Sequence, residues 1–512
     1  MAQPLRLESA EREFLRLVAQ AAFSNPFGEE RTELHQAIAG CMGAVSDREG
    51  FLPRLIARVS ESVSRIEKKG VALVARYPAE DRDLVQIAFL FEIYYRFVCE
   101  FERLTVEQAR SGTVCHPVPF AREALSLLLQ RGFGQEEAIR YFAMFDQLYR
   151  AFYFINHGLV GRSPSMKKLR LHLWRNVFTK DVRWYVLHLW DRLEDFSTLL
   201  LGETGTGKGT AAAAIGRSGF IPFDPERGCF VESFTRNFIA INLSQFPESL
   251  IESELFGHRK GSFTGAIGHH EGVLARCSRY GAIFLDEVGE LAPAVQIKLL
   301  QVLQDRTFSE VGGHEKKRFP GRVIAATNQP LDELLCTGRM RLDFYYRLCS
   351  DEVVVPPLRQ RLQEDPQEFE DLLLNVLERM MNAPPAELIG EVRQGIEDAV
   401  GPGYNWPGNV RELEQAARRA VLTGTYSVDR SCHGPDLLDR IRQGVEEGTI
   451  AARDLLASYC ALLYRRHGTI DEVARRAGLD RRTARRYIRL AAKQDQEERV
   501  AAAMPLGAAP KA

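Results

Sequence analysis

The sequence has no apolar run long enough to cross a bilayer, and its N-terminus carries acidic residues early with no apolar segment behind them. Neither a membrane span nor a secretory signal is expected. It has no Cys-x-x-Cys pair. Its nine cysteines (Cys41, Cys99, Cys115, Cys229, Cys277, Cys336, Cys349, Cys432, Cys460) are scattered and odd in number. They read as reduced thiols of a cytoplasmic protein, not as a disulfide framework. Cys115-His116 and Cys432-His433 are the only adjacent Cys–His pairs, and a zinc site needs about four ligands. Net charge is nearly absent, with 67 basic against 68 acidic residues. No internal repeat is evident, and 512 residues allow about three to four domains.

What is present changes in texture along the chain. Residues 1–157 carry apolar side chains at three- and four-residue spacing, as in Phe14-Leu17-Val18-Ala21 and Leu84-Ile87-Ala88-Phe91, and read as helical throughout. Aromatics crowd Phe89 to Phe101 and Tyr141 to Phe154. Such a stripe is expected to be core in preference to a ligand pocket or partner surface. From residue 158, short apolar runs alternate with helical stretches: Thr198–Leu201, Phe238–Asn242, Ala282–Asp286, Arg322–Thr327 and Glu352–Val355. That alternation indicates a parallel sheet covered on both faces. The fold class is therefore multidomain: a helical N-terminal domain (1–157), an α/β domain (158–356) and a helical segment after it (357–425). A polar linker (426–448), an all-helical C-terminal unit (449–494) and a disordered small-residue tail (495–512) complete the chain.

Between the first strand and an alanine-rich helix lies Gly202-Glu203-Thr204-Gly205-Thr206-Gly207-Lys208. A glycine loop in that position turns backbone N–H groups around a phosphate, the helix N-terminus adds positive potential, and the lysine reaches the outer phosphates. Gly209 stands where many such loops place a magnesium-binding hydroxyl, with Thr210 beside it. The strand Ala282–Asp286 ends in two carboxylates. Asp286 is placed to hold Mg²⁺ through water, and Glu287 to polarise the attacking water. A third strand ends in Thr327-Asn328, an amide able to orient that water. Arg339, Arg341 and Arg347 lie downstream with Tyr345 and Tyr346; spacing alone does not select among these arginines.

A collinear set of segments is then informative: GETGTGK (202–208), ESELFGHRKGSFTGA (252–266), AIFLDEVGEL (282–291), KLLQVLQDRTFSEVGG (298–313), IAATN (324–328), GRMRLDFYYRL (338–348), PPLRQR (356–361) and WPGNVRELE (406–414). Residues from about 159 to 425 resemble the AAA+ ATPase domain of bacterial enhancer-binding proteins, the activators of sigma-54 RNA polymerase. The resemblance implies ATP and Mg²⁺. It implies that Lys208 contacts the β/γ phosphates, Asp286 holds magnesium and Glu287 activates water. Asn242 would restrain that glutamate, and Asn328 would be the first sensor. Arg341 and Arg347 would be supplied in trans, Arg411 would be the second sensor in the lid, and Val160-Gly161 would flank adenine. Trans-acting arginines imply a homo-oligomeric ring, and the family assembles hexamers.

Gly261-Ser262-Phe263-Thr264-Gly265-Ala266 resembles the family's GAFTGA loop, which contacts sigma-54, with Ser262 in place of the usual alanine. Two glycines around Phe-Thr suit a mobile hairpin tip. Val311-Gly312-Gly313-His314 resembles the second pore loop that moves with the first. The stretch from Val160 to Gly202 is longer than the family pattern. Leu171 to Phe196, with Trp174, Trp184, Tyr185 and Trp190, is expected to add an amphipathic helix that packs on the sheet or docks the N-terminal domain.

The C-terminal unit reads as helix–turn–helix: Ala451 to Arg466, Ile470 to Ala477, a turn at Gly478-Leu479, and Arg481 to Ala491, with Thr469 and Asp480 as caps. Arg475, Arg476, Arg481, Arg482, Arg485, Arg486 and Arg489 concentrate positive charge there, the footprint of phosphate contact. The unit resembles the family's Fis-type domain, which implies double-stranded DNA upstream of promoters as a partner and dimers on it. Arg481, Arg482, Thr483, Arg485, Arg486 and Arg489 are the candidate contacts. Ala484 and Arg485 depart from the usual Leu-Tyr. The whole reading is an ATP-driven activator of the sigma-54 holoenzyme. The rival is a DNA-binding regulator whose ATPase domain serves only for ligand-controlled oligomerisation; intact FTGA and catalytic positions disfavour it. Residues 1–157 lack the pattern of a phosphoacceptor receiver and are expected to sense an unidentified ligand or partner.

Overall fold

The computed structural model describes residues 5–40, 48–68, 74–401, 403–424, 448–467 and 469–502, with positions 426, 441 and 445 between. Cys41, Cys432-His433, nearly all of 426–448 and the last residues of the expected tail lie outside the described residues. The chain divides into two compact units, one reaching Gly424 and one beginning at Thr425; Ile396–Val400 belong to the latter.

Five short strands form one parallel sheet: β1 (Thr198–Leu201), β2 (Phe238–Asn242), β3 (Ala282–Asp286), β4 (Arg322–Thr327) and β5 (Asp351–Val354), in the order β2-β3-β4-β1-β5. All begin and end within one residue of the apolar runs that signalled them. Strand periodicity of two separates the faces. Leu200, Phe284, Ile324 and Ala326 enter one core, while Leu199, Ile283, Leu285, Val323 and Ala325 enter the other. The register pairs Asn242 with Asp286 and Asp286 with Ala326, so the strand ends carrying Asn242, Asp286 and Asn328 open on the same edge. In open parallel sheets that carboxyl edge is where ligands bind.

The N-terminal region is helical: α1 (Ser9–Phe23), α2 (Glu29–Ala39), α3 (Arg48–Lys68), α4 (Ala79–Arg96), α5 (Val98–Ser111), α6 (Ala121–Gln130) and α7 (Gln135–Gly158). It has no separate core. Its aromatics run on into one face of the sheet domain: Phe142 of α7 meets Phe223 (4.9 Å) and Phe230 (6.3 Å) of a short ribbon after the glycine-loop helix. The polar side of α7 grips that helix, Lys208–Gly216, at its C-terminal end. Buried Arg150 donates to the carbonyls of Arg217 (2.5 Å) and Gly219 (2.9 Å), and Gln147 donates to Ser218 O (2.9 Å). A cation at exposed helix-end carbonyls satisfies groups that the helix itself leaves unpaired. Deleting residues 1–150 should therefore damage the sheet domain instead of releasing it. Uncovering two phenylalanines at about 1.5–3 kcal/mol each predicts a loss of about 3–6 kcal/mol in urea unfolding, or aggregation.

The extra segment differs from expectation. Its helix, α8 (Pro164–Phe178), starts earlier, on the N-cap Ser163 with Pro164 at the first helical position, and stops at Thr179, which is left-handed (φ 63°). From there to residue 196 the chain makes a short turn, a wide π-type turn over Tyr185–Leu189 and a 3-10 turn, not one amphipathic helix. It docks on the N-terminal region: buried Tyr185 exchanges hydrogen bonds with Gln147 (2.7 and 3.0 Å), and Arg183 lies over Phe23 at 4.8 Å.

The second unit contains the helices Ala452–His467, Ile470–Ala477 and Arg481–Ala502 around Cys460, Leu463, Val473, Ala474 and Ala484. Asp480 caps the third helix as expected, accepting from Arg482 N (2.9 Å) and Thr483 N (3.0 Å). Thr469 makes no side-chain cap bond. The third helix continues to Ala502, past the expected boundary at 494, because the Lys, Gln, Glu and Ala of this stretch are good helix formers.

Candidate functional site

The glycine loop joins β1 to the helix beginning at Lys208. Gly202, Gly205 and Gly207 have φ of 156°, 80° and 103°, and a β-carbon at Gly205 would collide with the Gly408 carbonyl. Glycine is required where backbone approaches that closely. Lys208 donates to the carbonyls of Gly202 (2.8 Å) and Glu203 (3.1 Å). Burial lowers its pKa, against the opposing pull of Glu287 and Asp286.

Around the loop lies a cleft of about 580 Å³, lined by Val160, Thr204 to Thr210, Asn242, Asp286, Glu287, Asn328 and Arg411. Burial raises the carboxyl pKa of both Asp286 and Glu287. Asp286 Oδ1 is buried with no hydrogen-bond partner among the described residues, an arrangement that fits a cation or its bound water. Glu287 is left-handed (φ 60°) and its carboxylate accepts from Asn328 N (3.1 Å). Asn328 Nδ2 donates to Thr204 Oγ1 of the loop (2.9 Å). Gly209 has room for a side chain, with only Phe284 near its β position. Thr210 lines the cleft with its methyl toward Gly158.

Other expected residues make contacts that their spacing does not specify. Asn242 turns its Oδ1 to Ser244, accepting from N (3.0 Å) and Oγ (2.7 Å). The Glu203 carboxylate leaves the phosphate side for the lid, accepting from Arg359 (2.7 and 2.5 Å) and Asn409 (3.2 Å). Gly161 lies beside the cleft, its carbonyl held by Arg170 (2.5 Å). Arg341 and Arg347 are both exposed and outside the cleft of their own chain; Arg341 pairs with Asp343 (2.7 Å) and Arg347 donates to Leu303 O (3.3 Å).

Residues that spacing did not reveal lock the lid to the loop. Buried Asn409 (φ 53°) donates to Thr204 O (3.0 Å) and accepts from Leu358 N (2.8 Å), while Val410 N donates to Gly205 O (3.1 Å). Arg361 and Glu368 form a fully buried ion pair (2.7 Å) that holds the segment after α7: Arg361 donates to Val160 O (2.6 Å) and Glu368 accepts from Ser163 N (2.7 Å). Glu368→Gln leaves a buried guanidinium uncompensated and should cost about 3–5 kcal/mol, read as a lower denaturant midpoint.

The Phe263 loop is built on paired backbone. His258 bridges His270 on one side and Val311 on the other, so the two expected pore loops share hydrogen bonds. Buried Glu310 takes Lys317 (2.6 Å) and His269 (3.0 Å), which together hold its carboxyl below the usual range. Gly261 (φ 82°) and Gly265 (φ 109°) shape the tip. Phe263 is 36% exposed and rests edge-on against His258 (4.9 Å); Ile267, which spacing did not single out, is 86% exposed.

In the C-terminal unit, Arg475 and Arg476 both pair with Glu472 (2.5 and 2.7 Å) and Arg481 with Asp471 (3.1 Å). Arg482, Arg485, Arg486 and Arg489 are exposed, Thr483 is half-buried and Ala484 is in the core.

A glycine loop, paired strand-end carboxylates and a helical lid on a β2-β3-β4-β1-β5 sheet define a P-loop ATPase domain of the AAA+ class. Residues 188–354 match the family described as the sigma-54 interaction domain. Curated relatives include the nitrogen fixation protein AnfA of Azotobacter vinelandii, 37% identical over 56% of this chain and 51% of its own length. The transcriptional regulatory protein ZraR of Klebsiella oxytoca is 35% identical over 64% of this chain and 67% of its own. The chain belongs to the sigma-54-dependent enhancer-binding activators. It spans about half the length of AnfA. Among solved structures, NtrX from Brucella abortus in complex with ATP has 21% identity over 72% of this chain and 80% of that one, with a TM-score of 0.37, too loose a likeness to bear on the site.

Proposed function

We propose that this chain hydrolyses ATP in a hexameric ring of its own copies and uses each cycle to drive the Phe263 loop against sigma-54, remodelling the closed promoter complex of the holoenzyme. The observation that carries this is the meeting of Lys208, Asp286, Glu287 and Asn328 in one cleft, with both trans-type arginines outside it. Val160 flanks the adenine end, the loop amides and Lys208 take the phosphates, and Arg411 faces the cleft from the lid. Asp286 would hold a hydrated Mg²⁺, whose charge offsets that of the phosphates. Glu287 accepts the proton of the attacking water, and Asn328, bonded to both Glu287 and Thr204, relates the carboxylate to the loop. Arg341 and Arg347 serve the neighbouring subunit. Because Asn409 and Glu203 tie lid to loop, closure on nucleotide would move both together. Comparing ATP turnover with open-complex formation at a sigma-54 promoter tests the whole reading.

The C-terminal unit binds double-stranded DNA as a dimer. Arg485→Ala and Arg486→Ala should each weaken binding and reduce the salt slope by about one phosphate contact. Arg475→Ala should change it less, since its guanidinium is already paired with Glu472. Titrating labelled operator against salt measures this. Residues 1–157 regulate the ATPase in response to a ligand or partner, and the grip of Arg150 and Gln147 on the glycine-loop helix is the physical route. Among the described residues no helix is long and apolar enough to cross a membrane.

A further inference from the structure

A second cavity, about 550 Å³, lies between the N-terminal helices and the extra segment. Its size is that of a small-molecule site. Rings of Phe91, Tyr94, Phe145, Tyr149, Phe152 and Trp174 line it. The aromatic stripe is thus core on one side and cavity wall on the other. Arg31 brings a charge to this apolar space. Its Nε donates to His35 Nε2 (2.9 Å), its Nη1 to the carbonyls of Ala21 (2.5 Å) and Ser24 (3.0 Å), and its Nη2 to Tyr95 Oη (3.1 Å). All four acceptors are neutral. One of the five guanidinium hydrogens stays unused, and Arg31 makes no ion pair among the described residues. Burial and the adjacent Arg31 push His35 down to about 3, so the imidazole stays neutral. Tyr95 accepts from Arg31 and keeps its own proton to donate. The other charged groups on the lining, Asp83 and Arg183, are exposed to water, and Arg183 also pairs with Asp181 (3.8 Å).

We propose that this cavity binds a flat aromatic acid, with its rings against the aromatic wall and its carboxylate on the free N–H of Arg31 and the Tyr95 hydroxyl. A charge-assisted pair in a low-dielectric site is stronger than its neutral counterpart. The opposite wall is Val182, Val186 and Leu187, from the irregular turns that feed β1 and the glycine loop. Leu187 is 61% exposed, and a bound acid would cover the inner face of this wall. Irregular π-type turns of this kind recur at functional sites. The proposal rests on the regulatory reading of residues 1–157 for its purpose and on the cavity alone for binding.

Isothermal titration of the full chain with 2-naphthoate and with neutral 2-naphthylmethanol tests it. One naphthoate per chain is expected, bound about tenfold or more tightly than the alcohol. Leu148→Trp, which fills the cavity from α7, should abolish binding of both, and Arg31→Gln should erase the preference for the acid. Equal binding of the two compounds, no binding of naphthoate at millimolar concentration, or binding that survives Leu148→Trp overturns the proposal. If either variant fails to fold, the comparison of the two compounds on the unaltered chain decides. Neither polymerase nor ATP turnover enters this measurement, so failure of the activator reading would appear elsewhere, in the Phe263 experiment.

Discussion

Glu287→Ala should bind ATP with little change in affinity and hydrolyse it about 10²–10⁴-fold more slowly, the range a positioned general base contributes. The carboxylate lies one residue beyond β3, in the cleft with Lys208, and Asn328 N holds it at 3.1 Å. It is not part of the glycine loop, so the phosphate cradle of backbone amides and Lys208 survives its removal. Burial raises its pKa, which brings a carboxylate nearer the basicity that proton transfer needs. The left-handed backbone at φ 60° strains alanine much as it strains glutamate, so the substitution isolates the carboxylate. Glu287→Gln, which keeps the shape, should behave alike. A fluorescent ATP analogue reports binding and phosphate release reports turnover. Hydrolysis at the unaltered rate in either variant would remove Glu287 from its role.

Phe263→Ala should hydrolyse ATP within about twofold of the unaltered chain and form no open complex. The ring lies outside the cleft, on a tip shaped by Gly261 and Gly265, and rests edge-on against His258. Removing a one-third-exposed ring from a tip leaves little cavity behind, so the effect on stability should stay near the ±0.5 kcal/mol of surface changes. What disappears is an aromatic anchor, the kind of side chain that carries most of the energy at a contact. Ile267, more exposed still, lies on the same loop and should share the burden: Ile267→Asp should also impair open-complex formation while sparing hydrolysis. Transcription from a sigma-54 promoter with purified holoenzyme decides, and ordinary activity of Phe263→Ala would sink the loop assignment.

These predictions draw on parts of the molecule that differ in how visible they are in the sequence. Strand ends and the glycine loop are local signals. An apolar run followed by Asp286-Glu287 or Thr327-Asn328 must place those groups at the sheet's carboxyl edge once the strands run parallel. Charge count is also local, yet its meaning is not. Seven arginines mark the C-terminal helices, but Arg475, Arg476 and Arg481 are already engaged by Glu472 and Asp471. Ala484, a departure from the family pattern, packs in the core and is not available for a DNA contact.

The sequence alone determined the class of chemistry: the glycine loop from Gly202 to Lys208, the two carboxylates at the end of β3, the Phe263 loop and the basic C-terminal helix are each carried by a few neighbouring residues. Only the tertiary structure decided what those groups are bonded to. Glu203 serves the lid, Asn242 serves Ser244, and Asn409, Arg361 and Glu368 join segments about two hundred residues apart. It also decided that residues 1–157 are continuous with the sheet domain, through Phe142, Gln147 and Arg150, and enclose a cavity against the extra segment. The reason is physical: periodicity records that a face is apolar, while the partner of that face is set by packing and by buried polar groups that must find hydrogen bonds across the fold.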